Sequence, residues 1–208
     1  MKVLLFNSSS HKEGCTFTAL SIVADELNKE GIETEIIQLG SGAIRDCIGC
    51  GACRKLDNQC IFKDDIVNEI LDKAKDADGF VFGSPVYYAH PSGRLLSLMD
   101  RLFYAGSAVF RHKPASAVVS ARRAGTSASL DAITKHFTIN QMPVVSSNYW
   151  NMVHGSKAGD VLKDEEGCQI MRILGRNMAW IMKCIEAGKN CGITPAQTEE
   201  KIWTNFIR

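Results

Sequence analysis

Lys2-Val3-Leu4-Leu5-Phe6-Asn7-Ser8-Ser9-Ser10-His11-Lys12-Glu13-Gly14-Cys15-Thr16 begins as a short apolar run and stops at three serines. An apolar run of this length, bounded by turn-forming residues, predicts a strand buried on both faces. Helical periodicity follows from Thr16 to Glu30. Phe17, Leu20, Val23, Ala24 and Leu27 share one face, and Gly31 is a natural stop. Strand, polar loop and helix form the first half of a crossover unit, and the pattern then repeats along the chain.

Ile32 to Leu39 alternates as a second strand. Asp64 or Asp65 is expected to cap a helix running to about Asp76. Gly79 to Gly83 reads as a third buried strand ended by Ser84-Pro85, and Ser92 to Tyr104 as a helix. Ala115 to Ser120 reads as a fourth strand, Gly125 to Phe137 as a helix, and Met142 to Ser147 as a fifth strand. A long helix is expected from Asp164 to Ala187, and a short one after Pro195. No repeat or linker divides the 208 residues, so one domain is expected across 1–208, with a cysteine-rich loop at 43–62 and a C-terminal helical extension at about 164–208. Alternation of this kind predicts an α/β fold: a doubly wound, five-stranded parallel sheet in the order 2-1-3-4-5 with helices on both faces. The ligand site of such a sheet lies beyond the carboxyl ends of strands 1 and 3.

Three loops therefore carry the chemistry. The first, Asn7 to Thr16, is rich in hydroxyls, contains Gly14, and enters a helix N-terminus. Backbone N–H groups, hydroxyls and the helix dipole together suit a phosphate monoester. A plain strand–helix turn would use the same serines only as caps. The loop has neither G-x4-G-K-[ST] nor G-x-G-x-x-G, which excludes a P-loop nucleoside triphosphatase and disfavours dinucleotide docking in that mode. A cysteine phosphatase built on Cys15 would want an arginine about six residues on, where Ser21 stands. The second loop, Ser84 to Gly93, holds Tyr87 and Tyr88 between two prolines and offers a flat wall to a planar ligand. The third, Ser120 to Thr126, places Arg122 and Arg123 at a strand end, as suits an anionic ligand or a solvated surface.

Cys47, Cys50, Cys53 and Cys60 form a C-x2-C-x2-C-x6-C run. Thiolates are soft ligands for zinc, copper(I) or iron–sulfur clusters. Structural zinc usually pairs two separated C-x2-C knuckles, whereas a third cysteine at the same spacing is more like a cuboidal cluster loop. Net charge is +1 and no long basic stretch occurs, which gives nucleic-acid binding no electrostatic support. The apolar run from Val3 to Phe6 is too short for a signal peptide or a membrane span, so a cytoplasmic address and reduced thiols are the expectation.

Taken in order, the three loops and the cysteine run resemble the flavodoxin-like NADPH-dependent FMN reductase family, and its iron–sulfur flavoprotein branch in particular. The resemblance is carried by Asn7 to Thr16, by Gly83-Ser84-Pro85-Val86-Tyr87, by Asp100-Arg101, and by the stretch from Cys47 through Asp65. His11 stands where the family has arginine and Cys15 where it has asparagine. The resemblance implies that Ser9, Ser10, His11, Gly14, Cys15 and Thr16 hold the FMN phosphate. It implies that Pro85, Val86, Tyr87 and Tyr88 line the ribityl chain and isoalloxazine, and that Ser120, Arg122, Arg123 and Gly125 approach the far edge of the flavin. It further implies a [4Fe-4S] cluster on Cys47, Cys50, Cys53 and Cys60, NAD(P)H as a donor, a small-molecule or protein acceptor, and a homodimer or homotetramer. Two other outcomes stay open at this point: a cluster-free NAD(P)H-dependent FMN or quinone reductase, and a non-enzymatic module with structural zinc on the four cysteines.

Overall fold

The computed structural model describes residues 1–197, 199–204 and 206. Five parallel strands form its sheet: β1 (Lys2–Asn7), β2 (Glu33–Gln38), β3 (Gly79–Tyr87), β5 (Ala115–Ala121) and β6 (Met152–His154), in the order β2-β1-β3-β5-β6. A two-residue strand, β4 (His90–Pro91), folds back antiparallel on the end of β3. The helices are α1 (Cys15–Lys29), α2 (Val67–Lys75), α3 (Gly93–Phe110), α4 (Thr126–Ile139), α5 (Ala158–Val161) and α6 (Glu165–Asn190). This is the expected doubly wound architecture, with the β3–β4 hairpin as an addition.

Parallel strands buried on both faces need an apolar layer on each side. On one side Leu20, Val23 and Leu27 of α1 meet Leu174 and Met178 of α6 over Val3, Leu5 and Val81. On the other, α2, α3 and α4 cover Leu4, Phe6, Phe80 and Phe82. Phe6 and Phe82 stack on neighbouring strands with centroids 4.6 Å apart. Burying each such side chain stabilises the fold by about 1.5–3 kcal/mol relative to exposure.

The fifth strand lies elsewhere than Met142 to Ser147. That run makes one bridge, Ala115 with Val144, and the ladder to β5 is formed by Met152–His154. Pro143 has no N–H to give a ladder, and the chain then swings outward through Tyr149 and Trp150 before rejoining at Asn151, whose carbonyl accepts from the Val119 N–H at 3.0 Å. The helix expected to start at Asp64 or Asp65 starts at Val67, with Asp65 Oδ1 accepting from the Val67 N–H. The short helix expected after Pro195 is not found among the described residues, which carry no regular structure beyond Asn190 apart from a turn.

Register aligns the strand ends that matter. Asn7 of β1 sits beside Gln38 of β2 and Gly83 of β3, while Pro85 of β3 sits beside Ser120 of β5. The three loops singled out in the sequence thus leave one edge of the sheet side by side.

Candidate functional site

Strand ends β1, β3, β5 and β6 surround a cleft of about 840 Å³, within the range of small-ligand pockets. Ser9 and the segment from His11 to Thr16 line one wall, Pro85 to Tyr87 a second, Ser120 to Arg122 a third, and Gly155 to Ala158 a fourth. Lys12, Arg122 and Lys157 make the lining cationic, with Glu13 as the acidic member and His11 beside them.

The loop from Asn7 to Thr16 is held by side chains from the strands below it. Asn7 is fully buried; its Oδ1 accepts from the Ser9 N–H at 3.1 Å and its Nδ2 donates to the Lys12 carbonyl at 3.2 Å. Gln38 Nε2 donates to the Ser9 carbonyl at 2.7 Å, and the Ser9 hydroxyl accepts from the His11 N–H at 3.1 Å. Thr16 and Ser120 share a buried hydroxyl–hydroxyl bond of 2.8 Å, which ties the first turn of α1 to the end of β5. Gly14 stands at the N-cap of α1 and contributes no side chain to its free N–H groups. A Cβ at Gly14 would come 3.1 Å from His11 Cβ, so the turn is already tight. Ser8 Oγ is buried in the same loop without a hydrogen-bond partner. Uncapped helix N–H groups and a cationic rim fit the phosphate of a mononucleotide cofactor.

Tyr87 closes the cleft from above: its phenol oxygen accepts from the Ser10 N–H at 3.2 Å and bonds the Ser10 hydroxyl at 3.0 Å. Burial pushes this phenol up, but the hydrogen bonds with Ser10 and Ser9 and the charge of Arg94 outweigh it and leave the group below its usual range. Burial raises the Cys15 thiol above its ordinary value, with the Asp160 carboxylate adding to it. Burial thus disfavours the thiolate, the form that a cysteine phosphatase would need as its nucleophile.

Several expected residues lie off the lining. Ser10 reaches the site only through Tyr87. Tyr88 sits at the hairpin tip with φ 61° and its side chain fully exposed, outside the cleft wall. Arg123 is exposed beside Arg122 and does not line the cleft. Gly125 acts by shape: it is the N-cap of α4 at φ 91°, and a Cβ there would fall 2.8 Å from Val86 Cγ1. Its absence of side chain lets the arginine loop close on Val86. Sequence reading missed Gly155 to Ala158, because it placed the fifth strand ten residues too early. It also gave no role to Asn7 or Gln38, although Asn7 begins the motif.

The cysteine run folds against α3. Gly49 at φ 63° and Gly51 at φ 65° each lie in the left-handed region, one on either side of Cys50. These turns bring Cys47, Cys50 and Cys53 to one cavity of about 230 Å³, which Cys60, Phe62, Arg101 and Tyr104 complete. All four cysteines are free thiols. Cys53 Sγ donates to the Tyr104 carbonyl at 3.5 Å. Asn68 of α2 fixes Cys60 from both sides, its Oδ1 accepting from the Cys60 N–H at 2.8 Å and its Nδ2 donating to the Cys60 carbonyl at 3.0 Å. Buried Arg101 pairs with Asp65 and donates from Nε to Cys60 Sγ at 3.3 Å. Among the described residues no three His, Cys, Asp or Glu side chains gather on a single ion. Four thiols around one cavity are a soft donor set, chemically suited to zinc or to an iron–sulfur cluster.

Comparison with known proteins identifies the family and the fold. Residues 1–157 match the family described as NADPH-dependent FMN reductase. An iron-sulfur flavoprotein of Methanocaldococcus jannaschii is 35% identical over 195 residues, covering 89% of this chain and 100% of that protein. Among solved structures, the NAD(P)H:quinone oxidoreductase from Methanothermobacter marburgensis superposes with a TM-score of 0.63 at 16% identity, over 86% of this chain and 96% of that one. A flavone reductase superposes with a TM-score of 0.67 at 20% identity, over 89% of this chain and 64% of that one.

Proposed function

The chain belongs to the NADPH-dependent FMN reductase family, in its iron–sulfur flavoprotein branch, and from that premise of a flavin-dependent oxidoreductase using FMN we propose an electron-transfer flavoprotein with a second redox site on its four clustered cysteines. In this reading NAD(P)H is the donor, a [4Fe-4S] cluster is held by Cys47, Cys50, Cys53 and Cys60, and a small molecule or protein is the acceptor. When bound, FMN supplies the exchange between two-electron and one-electron chemistry, and the cluster supplies a one-electron carrier.

The residues divide the work. Ser9, Gly14 and Thr16 would present hydroxyl and backbone donors to the phosphate, and Lys12, Arg122 and Lys157 would offset its charge, with His11 beside them. Pro85, Val86 and Tyr87 supply the apolar wall that excludes water from one side of the ligand. The observation that carries the proposal is the cavity on α3 lined by all four thiols. Ser92, the N-cap of α3, donates its N–H to Ser84 Oγ of β3 at 2.9 Å, and Arg101 of the cysteine cavity follows nine residues later. At 1.5 Å per residue that is about 14 Å along the helix axis. Exposed Trp150 and Trp180 suit a homodimer or homotetramer, which light scattering would size. No helix among the described residues is long and apolar enough to cross a membrane.

Anaerobic purification tests the proposal. FMN together with iron and inorganic sulfide in cluster stoichiometry is the expected result. A yellow protein without iron would leave a cluster-free reductase. Bound zinc in a colourless protein would overturn both redox roles.

A further inference from the structure

Arg101 is 1% exposed, and burying a guanidinium costs several kcal/mol unless it is paired and hydrogen-bonded. A strap between α2 and α3 could be made of apolar side chains without that cost. The arrangement around Arg101 is more specific than a strap. Nη1 bonds the Asp65 carboxylate and donates to the Arg45 carbonyl at 3.3 Å. Nε donates to Cys60 Sγ at 3.3 Å. Nη2 is buried with no hydrogen-bond partner, on a side chain that lines the cysteine cavity. Phe62 lies 5.4 Å from the guanidinium and 5.2 Å from that of Arg45. Among the described residues, Cys60 is the one thiol of the four whose sulfur accepts from a cation.

We infer that Arg101 is a positioning and tuning residue for the cysteine site: it fixes Cys60 through sulfur and raises the reduction potential of the cluster that the site would hold. The inference rests on the cluster reading above. Hydrogen bonds to sulfur and local charge are levers on cluster potential. Reduction adds one electron, taken from reduced flavin or from dithionite, and no atom enters or leaves. The site becomes one unit more negative, and an adjacent buried cation stabilises that state more than the oxidised one. The buried Nη2 of this cavity-lining side chain has no protein partner and would be free to donate to a sulfur placed within its reach.

The test is the midpoint potential of anaerobic protein carrying FMN and cluster, from dithionite titration followed by electron paramagnetic resonance, with iron and sulfide counted in each sample. Arg101→Gln should lower the potential by at least a tenfold change in the one-electron equilibrium, about 59 mV. Arg101→Lys keeps charge but loses the planar fork and should fall between. Asp65→Asn removes the opposing charge and should move the potential upward. A loaded Arg101→Gln protein with the wild-type potential would overturn the inference and leave the cluster reading standing. Should that variant not fold, wild-type potentials in both Arg101→Lys and Asp65→Asn would overturn it equally. Wild-type protein free of iron and sulfide would instead refute the cluster reading itself, and this inference with it.

Discussion

The cleft at the strand ends and the cysteine cavity on α3 both suit a redox group, yet they are organised by different forces. The cleft is shaped by buried strand residues: Asn7, Gln38 and the Thr16–Ser120 pair hold its loop through hydrogen bonds to backbone and hydroxyl. The cysteine loop has one short 3-10 turn, Ala52–Lys55, and otherwise irregular backbone. It is held by Asn68, Arg101 and Tyr104 from neighbouring helices. The first site is part of the sheet's own folding. The second is an appended loop whose closure depends on a few polar contacts, and a metal-bound ligand set would add to it.

That difference can be broken at several points. The largest effect is expected at Cys53→Ser, which should bring iron to background while FMN stays bound in the wild-type ratio; flavin lost together with iron would show that the two sites are not separable. Next, the double change Ser9→Ala and Thr16→Ala should weaken FMN about 100-fold, from about 1.5 kcal/mol for each bond to a charged group, with iron content unchanged. An unaltered Kd by fluorescence quenching would contradict the phosphate loop.

Glycines in the two regions should behave differently. A Cβ at Gly83 would meet Leu20 Cδ1 at 2.7 Å and the Phe6 carbonyl at 3.0 Å, so Gly83→Ala overpacks the sheet under the cleft. A loss of about 1–3 kcal/mol is expected, at about 2–4 °C of Tm per kcal/mol. Gly49 has open space around it but φ 63°, so Gly49→Ala should strain the cysteine turn by about 1–2 kcal/mol, lower iron loading, and leave the global Tm unmoved. The smallest effect concerns thiol reactivity. Burial raises the folded-state value of Cys15, so its thiolate forms only as pH climbs above the ordinary thiol range. Mass spectrometry of iron-free protein treated with iodoacetamide near pH 8 should find Cys15 labelled more slowly than exposed Cys50.

Why one region was easier to read than the other is itself physical. Apolar runs such as Val3 to Phe6 and helical faces such as Leu20, Val23 and Leu27 record burial directly, and both elements stand where periodicity puts them. The strand end at Ser8 to Ser10 marks the first loop of the cleft in the same way. Edge strand β6 left no such trace: three residues paired to β5 are too few for a period, and the longer run at Met142 to Ser147 concealed them. With it went the Gly155 to Ala158 wall. Arg101 was legible as part of a motif but not as a buried cation, because charge in a sequence says nothing of the partner that neutralises it. The outward placement of Tyr88 follows from a positive φ at a hairpin tip, which an aromatic residue does not announce.

The central claim is that electrons pass from the cleft to the cysteine cavity within this protein. Anaerobic holoprotein illuminated in the flavin band with EDTA as sacrificial donor receives electrons at FMN first. The account predicts that cluster absorption bleaches under that light, and that flavin-stripped protein under the same light does not change. Flavin fully reduced beside an unbleached cluster would contradict it.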